Sequence, residues 1–372
     1  MRKSVNTFGK PANAPNAVEM NIASNTGWIE QKRKSHRNPI SDPSLKMRYI
    51  FSLVVYFCTC ILPAQGQEES RFRFEEIPEQ SIRLSEGTDP VWVYNFGPIT
   101  RHDLPETEKR RTRACYIHPL YGLRGEILTD DFSEDHYHHH GVWWTWPHIG
   151  IHQPDGQVNH YSTWEDIGDL KQKFVQWKER TTDETSAVLS VENGWFIGDE
   201  KVMIEIVTIR TYPKKEEANQ QTRAIDLEFL WIPTDKPITL RGAEEKSYGG
   251  LTIRFRPQPN LPGVERITTI TVPEGVAEGD LPEKPLAWAD MTSRFGTDDH
   301  RSGAAIFIPP SHPDFPPTWL TRYYGPLCVG WPGVQGKTFQ PKEEIRLSYR
   351  LWIHESEVDT QQIQNAYDGQ IK

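Results

Sequence analysis

The sequence has no excess of positive charge: 42 Lys and Arg face 51 Asp and Glu, a formal charge of -9 over 372 residues. That balance excludes a general nucleic-acid binder, since a phosphate backbone demands a basic surface. Long apolar runs are lacking except for one, which excludes a multi-pass membrane protein. Methionine is scarce, at five, while 13 Trp, 13 Tyr and 15 Phe are present. Such aromatic weight points to strands rather than a helical bundle. No glycine-rich phosphate loop, heptad run or internal repeat occurs, and nothing around Ser311-His312 forms a nucleophile elbow.

Residues 1–48 are polar and basic, and an uncharged run, YIFSLVVYFCTCILPAQG, follows at 49–66. Lys46 and Arg48 precede it, and Ala64-Gln65-Gly66 is a small-x-small exit before Gln67. Basic flank, short apolar stretch and small-residue exit read as a secretory signal over 47–66, with Met47 as the expected start and 1–46 as a disordered leader. The alternative is an uncleaved anchor over 49–64. Subtracting the nine basic and three acidic residues of 1–48 leaves 33 against 48, about -15 for the secreted or periplasmic part. Of the four cysteines only Cys115 and Cys328 remain there, bridged or as two buried thiols.

From residue 70 the punctuation is that of β structure. Short runs alternate with Gly, Pro, Asp and Asn clusters, among them 91–94, 114–120, 187–191, 202–212, 224–232, 251–255, 267–272, 304–308 and 345–353. Within 223–231, Ile225, Leu227 and Phe229 alternate with Asp226 and Glu228. In 202–210, Glu205 and Arg210 interrupt apolar residues. Lys214–Gln221 reads as a polar hairpin loop, and 358–367 as a short helix. More than a dozen strands without intervening helices exclude a parallel α/β sheet. The expected fold is all-β, a large antiparallel β-sandwich formed by 67–372 as a single domain.

One stretch concentrates chemistry. Between Asp130 and Trp146 lie His136, His138, His139 and His140, next to Asp131, Glu134 and Asp135 and followed by Trp143, Trp144 and Trp146. If 136–140 is extended, His136, His138 and His140 share one face and His139 the other. Imidazoles at that spacing suit acid–base work near neutral pH, or a divalent metal held by His136 and His138. A hydrogen-bonded polar cluster without chemistry is the alternative. Trp143 and Trp144 must point to opposite faces of a regular strand. Sugar rings stack their C–H faces on aromatic planes, and His and carboxylates take their hydroxyls. The segment 160–165, ending in Trp164-Glu165, is placed to close over the histidines. Gly249-Gly250 before a strand permits either a close ligand approach or an ordinary turn.

The chain resembles a family of secreted bacterial proteins of unassigned activity, labelled "methane oxygenase PmoA-like". The resemblance rests on Tyr116-Ile117-His118-Pro119-Leu120-Tyr121-Gly122, Gly125-Glu126-Ile127-Leu128-Thr129, Asp135-His136-Tyr137-His138-His139-His140-Gly141-Val142-Trp143 and Tyr248-Gly249-Gly250-Leu251-Thr252-Ile253-Arg254. It continues through Gly303-Ala304-Ala305-Ile306-Phe307 and ends at Leu347–His354. Where that family has Pro and Arg, this chain has Tyr137 and His140, so an Arg is missing from the loop. The label does not describe a membrane methane-oxidising subunit, a multi-span helical protein, because this chain has one apolar run. The resemblance implies a galactose-mutarotase-like super-sandwich, a fold that binds sugars on a concave sheet through His and a carboxylate.

The expectation is a carbohydrate-active protein, an enzyme on a sugar or glycan. His136 and His138 act as acid/base groups, Asp135 as their carboxylate partner and His118 as a third imidazole. His139, Trp143, Trp164, Tyr248 and Arg322 contact the carbohydrate or other small-molecule ligand. A His-ligated metalloenzyme and a non-catalytic polysaccharide-binding module are the rivals. No nucleic acid is expected as a partner, and a membrane only through an uncleaved signal segment.

Overall fold

A computed structural model describes residues 70–217, 220–259 and 267–370. The leader and signal segment expected over 1–66 lie outside these residues. The described residues form one compact unit. Two antiparallel sheets dominate it. One has nine strands, from Phe72–Ile77 at one edge to Leu281–Pro285 at the other, with Tyr116–Leu120, Val142–Thr145, Gly250–Arg254 and Pro326–Gly330 in its middle. The other has ten strands, from the edge strand Leu170–Thr182 through Ala187–Ile197, Glu200–Thr211, Gln220–Pro233 and Ile345–His354 to Gly275–Val276.

Side-chain alternation builds the core between them. Ile225, Leu227, Phe229 and Trp231 of Gln220–Pro233 turn inward while Asp226 and Glu228 turn out, as the sequence alternates. Trp92, Tyr94, Trp144 and Leu251 of the nine-stranded sheet meet Leu189, Val207, Leu227 and Leu347 of the ten-stranded one. Trp144 packs on Phe229 with ring centroids 4.9 Å apart. Trp92 donates its indole N–H to Thr211 Oγ1 at 2.8 Å. Each fully buried Leu or Phe contributes about 2 kcal/mol by leaving water. The architecture is therefore an all-β antiparallel sandwich.

Two local readings change, and for the cysteines one of the two alternatives holds. The strand Leu170–Thr182 lacks a strand-like apolar alternation because KQKFVQWKERTT is mostly polar, with five charges, the composition that protects an edge strand from further pairing. Lys215–Glu217 pairs with Gln220–Thr222, so strand pairing extends into what reads as a loop over 214–221. Cys115 and Cys328 are free and buried, not bridged, and burial pushes the Cys328 thiol up to about 12. The C-terminal helix, Thr360–Gln370, starts where the Asp359 carboxylate accepts the Gln362 N–H at 2.8 Å and Gln362 Oε1 accepts the Asp359 N–H at 2.8 Å. Its Ile363 and Tyr367 pack with Trp288, Phe307 and Trp352. Among the described residues no helix is long and apolar enough to cross a membrane.

Candidate functional site

The site lies on the face of the nine-stranded sheet that turns away from the ten-stranded one. Trp143 pairs with Thr252, and Thr252 with Cys328. Alternation sends Trp144, Leu251 and Ile253 into the main core. Trp143 and Cys328 face the other way, where they form a separate buried cluster with Tyr116, Trp164 and Leu320. The opposition of Trp143 and Trp144 is thus as the strand period requires. Gly249 and Gly250 enter this strand with φ of 141° and 125°. A Cβ on Gly250 would lie 2.8 Å from the Val329 carbonyl oxygen, so the glycine serves backbone packing.

The histidine segment is not extended. His136 N–H donates to Ser133 O at 2.8 Å, and His139 N–H to His136 O at 2.9 Å, making two consecutive turns. Turns replace the strand period, so the expected sharing of one face by His136, His138 and His140 does not occur. Instead the His136 and His139 rings stack, with centroids 4.5 Å apart and planes 5° apart. His138 stands at 88° to His136 and 87° to His139. His140 is buried elsewhere, its Nδ1 2.8 Å from Asp131 Oδ1, whose other oxygen accepts the Tyr116 hydroxyl at 2.9 Å. His118 stays on its own strand, with Nδ1 3.0 Å from Thr129 Oγ1. The charges that act on it are those of Asp131, Asp130, His140 and Arg256, rather than His136 and His138.

The solvent-facing part is an ion-paired chain. Asp135 Oδ2 lies 3.0 Å from His136 Nδ1, and its Oδ1 accepts Arg254 Nη2 at 2.9 Å. The Arg254 guanidinium sits 4.7 Å from the centroid of Tyr324, whose ring is parallel to His136 within 9° at 5.6 Å. Glu165 Oε2 approaches His138 Nδ1 at 3.5 Å and Arg110 Nη1 at 3.8 Å. Asp135, His136 and Glu165 reach water with side chains 45%, 39% and 38% exposed, while His138 is 11% and Arg254 7% exposed. A guanidinium is therefore present after all, supplied by a neighbouring strand.

Trp143 and Trp164 are buried and support the histidines from beneath; they do not wall a cleft. Trp164 packs 5.4 Å from Trp143, 5.8 Å from His139 and 4.4 Å from Tyr248, which is half-buried. The surface ring is Tyr324. Arg322 is tied to Asp280 at 3.0 Å. Arg254, Glu165 and Tyr324, none of them among the expected catalytic or ligand-contacting residues, thus complete the cluster.

Burial lowers the affinity of the inner imidazoles for protons. His138 falls to about 4, with His136 and Arg110 adding to the effect. Burial also drives His139 and His140 well below the usual histidine range. Burial works against the Asp135 carboxylate, but His136 and Arg254 outweigh it and hold the group below its ordinary value. Burial raises Asp131 to about 6. At neutral pH His138 and His139 are uncharged beside an ionised Asp135. Among the described residues no group of three or more His, Cys, Asp or Glu is placed to hold a metal ion. The pair expected as metal ligands, His136 and His138, has its rings perpendicular at 5.6 Å.

Gly141 joins the loop to the sheet. A Cβ there would lie 2.0 Å from the Ile117 carbonyl oxygen, and the Gly141 carbonyl accepts the Arg254 N–H at 2.8 Å. Gly141→Ala should destabilise the fold by about 2–3 kcal/mol through this overpacking. Urea unfolding checks it, and an unchanged midpoint would show that the loop has room to move.

The family described as "Family of unknown function (DUF6807)" matches residues 81–368. The chain belongs to that family. All the site residues named above fall within the DUF6807 match. No curated protein matches the sequence. Among solved structures, the X-ray structure of a galactose mutarotase related enzyme from Lactobacillus acidophilus is similar at 9% identity and a TM-score of 0.37, covering 77% of this chain and 99% of that one. At that level of superposition it carries no inference for the DUF6807 chain.

Proposed function

We propose that this chain is a secreted carbohydrate-active protein, an enzyme acting on a sugar or glycan at the face formed by Asp135, His136, His138, Glu165, Arg254 and Tyr324. The observation that carries the reading is the Arg254–Asp135–His136 chain at the surface, backed by buried nitrogens without protein partners. Among the described residues, His139 Nδ1, Trp143 Nε1 and Arg254 Nε and Nη1 find no hydrogen-bond partner. Buried polar groups are normally paired, so their concentration beneath one exposed cluster suits a ligand rich in oxygen. Neutral imidazoles both give and take hydrogen bonds, which matches hydroxyl groups. An ionised carboxylate touching an imidazole supports proton transfer to or from such a hydroxyl. The Tyr324 ring offers a plane at the surface for the C–H face of a pyranose.

The test is a glycan array with the secreted chain, followed by product analysis on any retained sugar. His138→Ala and Asp135→Asn should each lower turnover about 100-fold, with the near-UV circular dichroism of the tryptophans showing that the native fold is retained. Unaltered turnover in both variants would overturn the assignment of these residues. Retention without product would overturn its enzymatic part.

A further inference from the structure

A second concavity lies away from the histidines, none of which lines it. It has a volume of about 740 Å³, and Phe96, Phe174 and Trp177 form its apolar wall. Volumes of this size accommodate small organic ligands. Phe174 and Trp177 belong to the edge strand Leu170–Thr182 and are three residues apart. In a regular strand such residues face opposite sides. Here the pairing with Ala187–Ile197 slips twice, between Phe174 and Gln176 and between Trp177 and Glu179. Such bulges re-aim side chains, and they bring the two rings together at 4.7 Å. Phe96 joins them at 5.0 Å from each, edge-on to Trp177 at 78°.

The three rings make a box of tilted faces and edges, not a flat platform. An aromatic ring fits such a box through edge-to-face contacts, whereas a pyranose requires an open plane. The polar wall is basic. Arg113 is 3% exposed. Its Nη1 donates to Thr163 O at 2.8 Å and its Nη2 to Gln172 Oε1, while Nε has no partner. Lys109 and Lys171 also line the cavity. Of the acids there, Asp166 lies 3.0 Å from Lys171 and 3.8 Å from Arg113 Nη1, and Glu76 is held by Arg180 at 2.5 Å; Glu79 is the third, and Lys173 adds a fourth base.

We propose that this cavity binds a planar aromatic monocarboxylate, its ring in the Phe96–Phe174–Trp177 box and its carboxylate toward Arg113 and Lys109. The site is independent of the sugar-directed reading of the histidine face.

Calorimetric titration of the full chain with cinnamate tests it. Saturable one-site binding is expected, weakened about tenfold in Trp177→Ala by loss of the ring contact. Methyl cinnamate, which lacks the charge, should bind about tenfold more weakly, and glucuronate, which lacks the aromatic ring, should not bind. Trp177→Phe and the exposed Lys109→Ala serve if Trp177→Ala does not fold, and each should weaken cinnamate about threefold. Absence of saturation with cinnamate, or glucuronate binding equal to it, would overturn the proposal. So would cinnamate binding that survives the Trp177 and Lys109 changes but disappears in His138→Ala, which would place the ligand at the histidine face.

Discussion

Glu205→Ala is expected to destabilise the fold by about 5 kcal/mol or more, enough to remove most of a typical domain's stability. Glu205 is fully buried. Its Oε1 accepts Trp144 Nε1 and Asn193 Nδ2, both at 2.9 Å. Its Oε2 accepts Gln172 Nε2 at 3.0 Å, Trp195 Nε1 at 2.9 Å and Trp231 Nε1 at 2.8 Å. Trp144 comes from the nine-stranded sheet, and the other four donors from the ten-stranded one. One carboxylate therefore staples the two layers. Gln172 in turn accepts Arg113 Nη2 at its Oε1. Removing the carboxylate leaves the three buried indole N–H groups without an acceptor, each costing about 1–3 kcal/mol, while Asn193 Nδ2 keeps the Tyr94 hydroxyl at 2.9 Å and Gln172 Nε2 the Trp144 carbonyl at 3.5 Å. Glu205→Gln keeps the shape but turns an NH2 group toward donors on one side, so about 3 kcal/mol is expected. Urea unfolding followed by near-UV circular dichroism of the tryptophans measures both. A loss below about 1 kcal/mol in Glu205→Ala would show that the indoles find other partners.

Glu205 also shows where a single sequence is and is not legible. The strand period puts it on the same face as Met203, Val207 and Ile209, but Val202, Ile204 and Ile206 make the opposite face equally apolar, so parity alone does not give its direction. That a buried carboxylate should be wanted there depends on three indoles from separate strands, and no local pattern announces that meeting. The same limit governs the candidate site. The density of His136–His140 and the opposition of Trp143 and Trp144 are local facts, and both are visible in the chain. The conformation of the histidine segment is not, because its turns are closed by backbone bonds from His136 to Ser133 and from His139 to His136, with no Gly or Pro among 131–140 to announce them. Arg254 arrives from a distant strand through its register, and Glu165 and Tyr324 from loops that the sheets bring over the segment. The resemblance motif ending in Arg254 held the missing guanidinium, but only the pairing of Gly250–Arg254 with Val142–Thr145 brings it to Asp135.

Stability should fall as pH drops from about 6.5 to about 4.5, and the cause should be histidine. His138 and His312 each have a folded-state pKa of about 4 against an ordinary 6.5, in both cases mainly through burial. Over that window the unfolded chain takes up a proton at each site while the folded chain does not, so protonation favours unfolding. Each is worth about 3 kcal/mol across its full shift. His139 and His140 act in the same direction. Asp131 opposes them: its pKa is raised to about 6, so the folded state binds its proton first and gains about 3 kcal/mol as pH falls from 6 to below 4. Carboxylates held low, such as Glu86 and Asp135, add their loss only below their ordinary values, near 4.5 and 3.8. The upper window therefore isolates the histidines against Asp131, and the net expectation is a loss of about 3 kcal/mol or more between pH 7 and pH 4.5. Urea midpoints at pH 7, 5.5 and 4.5 measure the slope. His312 offers the cleaner variant, because it lies outside the histidine face and contacts only Pro313 O at 2.6 Å and the Tyr349 hydroxyl at 3.2 Å among its hydrogen-bond partners. His312→Gln should lower stability at pH 7 yet flatten the slope by about one proton. A midpoint that is constant, or that rises on acidification, would mean that the imidazoles take up protons in the folded state and that the inner face of the site is wetter than its burial implies.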